Sequence, residues 1–157
     1  MKKLFVGLFG LLFVALTFPA RAQSDEQMSR FLVGAWQAVI QQQVNGGMAH
    51  CAMDTVFFAN GTFQARDSWT FPAGSNVVVT KGTWSVAQGV LHIVYESVEF
   101  PQYDDQTFDL LGDGQQFAPF KNSHGDQVPA PADFGIHVLD ANTLQRSDGL
   151  VCRRIAD

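Results

Sequence analysis

The sequence predicts an all-β protein, a small antiparallel meander closed into a barrel of about eight strands. Three observations carry this expectation. Short apolar segments recur through residues 31–155 with turn residues between them. No stretch of that region sustains a helical period. One segment, residues 62–71, alternates strictly. Phe63, Ala65, Asp67, Trp69 and Phe71 share one face, and Thr62, Gln64, Arg66, Ser68 and Thr70 share the other. That is the pattern of a strand with one buried and one wet face. Open sheet edges invite association, so a meander of this length is expected to close on itself.

The chain has 157 residues and opens Met1-Lys2-Lys3. Residues 4–18 carry no charge, and Pro19-Ala20-Arg21-Ala22 follows. A basic start, an apolar run and an Ala-x-Ala site predict a secretory signal peptide, cleaved after Ala22. The apolar run, about 15 residues, is short of the ~20 needed to span a bilayer, so no membrane span is expected after cleavage. The expected destination is periplasmic or secreted. The expected organisation is a leader over residues 1–22, a polar lead over 23–30 and one domain over 31–157. The mature chain keeps seven basic and fifteen acidic residues, a formal net charge of −8. Such a chain repels phosphate backbones, which argues against nucleic acid as a partner. A monomer is expected.

The elements follow in order. A first strand runs over residues 31–41 and breaks at Asn45-Gly46-Gly47. A mostly apolar strand covers 50–59. Asn60-Gly61 is the strongest hairpin signal, read as a type I′ turn with positive φ at both central residues. The alternating strand ends at Pro72-Ala73-Gly74. Strands over 77–86 and 90–99 flank a tight turn at Gln88-Gly89. A further strand is expected over 106–111. Residues 118–133 hold three of the six prolines, carry no period and read as a long loop, either functional or a bland insertion. Three short β segments, 134–139, 143–147 and 150–155, complete the chain.

Cys51 and Cys152 are the two cysteines. In an exported chain an even count predicts a disulfide. It would close a loop of about 100 residues, worth roughly 4–5 kcal/mol in the chain-entropy view. Two other states compete: free structural thiols, and a nucleophilic Cys51. His50 cannot serve as its base, because neighbouring strand residues point to opposite faces. The four histidines show no close ligand spacing, so no metal is expected. No nucleophile elbow, zinc-protease helix or phosphate loop is present, and neither catalysis nor a cofactor is expected. Glu96, Glu99, Asp104 and Asp105 read as solvated loop charge.

Two sets of residues resemble a known family. Gly34-Ala35-Trp36 opens the first strand, and Arg153 and Arg154 lie in the last. Phe57-Phe58-Ala59-Asn60-Gly61-Thr62-Phe63, Gly82-Thr83-Trp84 and Gly89-Val90-Leu91 follow the order seen in bacterial lipocalin-like domains. The chain thus resembles the lipocalin and wider calycin barrels across most of residues 31–155. The resemblance implies structural roles. Trp36 would close one barrel end, and an arginine, Arg153 or Arg154, would pack across it. A disulfide tying the C-terminal segment to the barrel would also fit that family.

Small eight-stranded barrels either fill with side chains or hold one small ligand. Phe63, Trp69, Trp84, Leu91, Ile93, Tyr95 and Phe108 are the candidate inward residues. Asp67 breaks the apolar face of its strand, and a buried carboxylate is costly unless paired. It is read either as the partner of an arginine or as a ligand anchor. The expected function is binding of a small apolar or amphipathic molecule in the cell envelope. Trp69, Trp84 and Tyr95 would form the wall, and Asp67 or His137 would orient the ligand. The alternative is a periplasmic inhibitor of a protease or lysozyme, acting through the 118–133 loop or the 23–30 lead, with acidic charge suited to a basic target.

Overall fold

The computed structural model describes residues 24–44, 47–72, 74–101, 120–121 and 124–156. The expected leader, the expected strand over 106–111, Phe108, Asp104 and Asp105 lie outside them.

One helix, α1 (Asp25–Leu32), precedes ten strands: β1 (Gly34–Val44), β2 (Gly47–Phe57), β3 (Thr62–Phe71), β4 (Gly74–Ala87), β5 (Val90–Glu99), β6 (Phe120–Lys121), β7 (Gln127–Val128), β8 (Ala132–Asp140), β9 (Thr143–Arg146) and β10 (Val151–Arg154). Eight of them form a closed antiparallel barrel in the order β1-β10-β9-β8-β5-β4-β3-β2, and β6 and β7 pair separately. The all-β barrel expected from the alternation and the turns is the observed fold.

Consecutive strands pair by local hairpins, so long rungs form between β1 and β2, β2 and β3, and β3 and β4. Closure is concentrated at one end. There β10 meets β1 at Trp36↔Arg154 and Gln37↔Arg153. On the other side β8 meets β5 only from Val90↔Gly135 to Ile93↔Ala132. Beyond these rungs β1 to β5 run on as a curved five-stranded wall.

The N-terminal segment departs from expectation. Residues 25–32 are helical, where the sequence reading gives a polar lead and a strand beginning at Phe31. Ser24 caps the helix, with its hydroxyl accepting from the Gln27 N–H while the Gln27 side chain accepts from the Ser24 N–H. This reciprocal capping box nucleates the first turn, and Asp25 and Glu26 there and Arg30 at the end suit the helix dipole. Met28 and Leu32, one turn apart, are buried against the barrel end. The Asp25 carboxylate accepts the N–H groups of Gln88 and Gly89, both at 2.9 Å, which fixes the helix to the β4–β5 turn.

The two tight hairpins exchange expected roles. Gln88 and Gly89 have φ of 54° and 74°, so the positive-φ pair of a type I′ turn sits there. At Asn60-Gly61 only Gly61 has positive φ. The Asn60 side chain instead accepts from the Thr62 N–H and hydroxyl, and Gly61 N–H donates to the Phe58 carbonyl. This Asx-type turn makes a four-residue connection in place of the two-residue one.

The closed end is packed with large side chains. Leu32, Trp36, Phe57, Phe63, Trp84 and Leu91 are buried in one cluster. Phe57 meets the Trp84 ring edge-on at 5.3 Å. The buried indole N–H of Trp36 donates to the Leu32 carbonyl at 2.7 Å, so its polar atom is satisfied.

The expected disulfide does not form: Cys51 and Cys152 are both free thiols. Strand order supplies the reason. Cys51 is on β2, opposite Ile40 of β1. Cys152 is on β10, two residues before the partner of Trp36. β1 therefore lies between them. Two interstrand spacings, about 9–10 Å, exceed the ~7 Å limit for bridged Cα atoms.

Candidate ligand cavity

The barrel interior is not filled. A cavity of about 100 Å³ lies along its axis. That is the order of the ~150 Å³ engineered cavities that hold benzene. Its floor is the packed end, with Leu32, Trp36, Phe57 and Phe63 exposing surface to it. Ala38 and Ala65 contribute small side chains midway up β1 and β3, and the space exists where they stand. Leu91, Ile93, Ile136 and Leu144 complete an apolar wall.

Polar groups reach the cavity from five strands: Thr55 on β2, Asp67 on β3, Thr80 on β4, Tyr95 on β5 and Arg146 on β9. Period-two alternation places each on the inner face. Asp67 Oδ1 is buried and has no hydrogen-bond partner. Burial pushes the Asp67 carboxyl up to about 6. The Arg146 guanidinium opposes that rise and the Asp54 carboxylate adds to it. Burial likewise raises the Tyr95 hydroxyl, opposed by Arg146 and helped by Asp67.

Arg146 does not pair directly with Asp67. Its Nε donates to Asp148 Oδ1 at 3.2 Å and its Nη2 to Asp148 Oδ2, and its guanidinium carbon sits 3.6 Å from the Phe134 ring centroid. Burial would raise Asp148, but the hydrogen bonds and charge of Arg146 hold it below the usual carboxylate range. The structure thus separates two carboxylates: Asp148 takes the guanidinium, and Asp67 keeps only its distant field.

The other residues singled out in the sequence are distributed as follows. Tyr95 lines the cavity and packs edge-on against Phe63 at 5.7 Å. Trp84 is in the packed end, with its indole N–H donating to the Phe58 carbonyl at 3.1 Å. Trp69 is half-buried and stacks on Phe71 at 5.6 Å, toward the other end of β3. His137 is exposed on β8, because its neighbours Ile136 and Val138 pack inward. Arg154 reaches over Trp36 at 4.4 Å and donates to the carbonyls of Val33, at 2.8 Å, and Phe31. Arg153 is exposed. Sequence reasoning passed over Arg146, although it follows Leu144 at strand spacing, and passed over the Ala38 and Ala65 gaps that make the space.

Both cysteines lie on the interior side. Cys51 is fully buried, and Cys152 borders the cavity. Burial, with the fields of Asp67 and Asp54, pushes the Cys51 thiol up to about 12. Burial also raises Cys152. Neither holds the thiolate that nucleophilic chemistry needs. Among the described residues no group of three His, Cys, Asp or Glu side chains could hold a metal ion. None of the described helices is long and apolar enough to cross a membrane. Glu99 pairs with Lys81 on the outer surface at 2.9 Å.

Comparison with known proteins finds no matching family model and no matching curated relative.

Proposed function

We propose that this protein is an exported, lipocalin-like binding protein that holds one small apolar or amphipathic molecule inside its barrel. The observation that carries the reading is the unfilled interior itself. Its wall is mostly apolar, and one carboxylate oxygen is buried there without a partner. Close-packed interiors avoid both features, since voids forfeit dispersion energy and unpaired polar atoms cost desolvation. Binding sites use both: a preformed apolar cleft with a few placed polar groups. Tyr95 and the aliphatic residues of β5, β8 and β9 would supply the wall, and Asp67 would orient the ligand. The expected place of action is the cell envelope, following the leader-like residues 1–22.

The inhibitor alternative has less support. In one of its two contact elements, the 23–30 lead, residues 25–30 belong to α1, which Asp25 ties to the β4–β5 turn.

Native mass spectrometry of protein purified from its own cell envelope tests the proposal. The expected spectrum shows a non-covalent adduct of one small organic molecule per chain. Substituting Ala65→Phe, which fills the cavity, should abolish it. Bare protein alone, or an adduct indifferent to that substitution, would overturn the reading.

A further inference from the structure

We propose that the ligand's head group is a hydrogen-bond donor carrying positive charge, an amine on a compact apolar body, and that Asp67 receives it. This inference rests on the binding function proposed above and specifies the chemistry it reads.

Two buried side-chain oxygens are unpartnered among the described residues, Asp67 Oδ1 and Asn76 Oδ1. Asp67 lines the cavity, and Asn76 is buried beside it on β4, outside the lining residues. Asp67 faces Val78 across the β3–β4 ladder, and Asn76 is two residues from Val78, facing Trp69. Diagonal neighbours on one sheet face lie about 7–8 Å apart, so Asn76 places a second acceptor near Asp67. Asn76 is only 6 % exposed, so water does not serve it freely. Both orphan atoms are acceptors. A ligand that satisfies Asp67 must donate.

Charge selects among donors. The positive group of the cavity, Arg146, is already matched by Asp148 and by the Phe134 face. Nothing matches Asp67 by direct contact. An anionic head would meet the Asp67 carboxylate with Arg146 already engaged, and would gain little. A cationic amine would neutralise a desolvated carboxylate, the strong form of hydrogen bond.

The groups facing Asp67 set the pH response. Arg146 from β9, Cys51 from β2 and Tyr95 from β5 face it, and Asp54, on the outer face of β2 where it accepts from Gln37, acts on it through the sheet. Of these, neither the raised Tyr95 hydroxyl nor the raised Cys51 thiol changes charge between pH 5 and 7.5. Protonation of Asp67 on acidification should therefore weaken binding of an amine and leave a neutral ligand unaffected.

Three probes of one shape provide the test: 2-phenylethylamine, 2-phenylethanol and 3-phenylpropionate. Their affinities are read by NMR titration of the folded mature chain and of Asp67→Asn. The amine is expected to bind the native chain about tenfold tighter than the carboxylate. Asp67→Asn should erase most of that preference, weakening the amine more than the alcohol. In the unsubstituted protein, acidification to about pH 5 should weaken the amine alone. Equal binding of all three probes, or a carboxylate preference, would overturn the amine assignment and leave the binding function standing. Failure of all three to bind would overturn both.

Discussion

The guanidinium of Arg154 lies 4.4 Å from the Trp36 ring centroid and donates to the Val33 and Phe31 carbonyls. One side chain thus seals the closed end of the barrel, covers the indole and satisfies two carbonyls where α1 leads into β1. Gly34 makes room for it: a Cβ there would come within 2.6 Å of Arg154 Nη1, and its φ of +125° already disfavours a side chain. Arg154→Ala is expected to destabilise the fold by about 2–3 kcal/mol, through lost packing and two charge-assisted hydrogen bonds. Arg154→Lys should recover only part, since an ammonium lacks the planar fork. Arg153→Ala, on the exposed side, should stay within about 0.5 kcal/mol. Urea unfolding of the three variants checks the ordering, and equal losses at 153 and 154 would contradict it.

Asp67 makes stability depend on pH. Its folded carboxyl sits at about 6, above the usual 3.8. A raised carboxyl favours the folded state while protonated, so its contribution is complete below the unfolded value and is lost as pH rises through the folded one. The unliganded protein should therefore lose stability, on the order of 2–3 kcal/mol from this group, between about pH 4 and pH 6.5. Asp67→Asn should remove that loss. Denaturant midpoints at about pH 4.5 and 7.5 decide the matter; parallel shifts in the two proteins would count against it.

The two thiols should survive folding. Thiol titration is expected to find both cysteines after unfolding and slow reaction of Cys51 before it, given its raised thiol and complete burial. A mass lower by two hydrogens, with no thiol released on unfolding, would contradict the strand order that separates them.

Asp25 links the helix to the β4–β5 turn. Asp25→Ala should speed hydrogen exchange at the Gln88 and Gly89 amides, which lose their acceptor. Those hydrogen bonds hold the Asp25 carboxyl below its ordinary value. Its stabilising contribution is therefore present above the unfolded value and lost only as pH falls through the lowered one. Unchanged exchange at both amides would show that the helix does not depend on this contact.

How much of this was legible in the sequence varies with the range of the interaction. The strict alternation of residues 62–71 fixed β3 and marked Asp67 as the exception on an inner face. Punctuation by Gly, Asn and Asp located the hairpins, but not which one takes positive φ at both positions. The helix was legible in principle: Ser24 with Gln27 is a capping box, and Met28 with Leu32 is a single apolar turn, too short a signal to outweigh its polar surroundings. Parity within short strands was also legible. Ile136 and Val138 turn His137 outward, and Cys152 aligns Arg154, not Arg153, with the inside. Non-local facts were not legible. The intervening β1 that parts the cysteines, the Asp148 carboxylate that engages Arg146 and the space left by Ala38 and Ala65 depend on which strands become neighbours.

A hollow, ligand-competent interior is the claim on which the functional reading stands. It is tested most directly by methyl and amide NMR of the folded chain titrated with neutral 2-phenylethanol. Saturable shifts are expected at Met53, Leu91, Ile93 and Leu144, which all face the cavity, and the Ala65→Phe variant should lose them. Shifts confined to exposed residues such as Val39, Val94 and Leu139, or none at all, would contradict it.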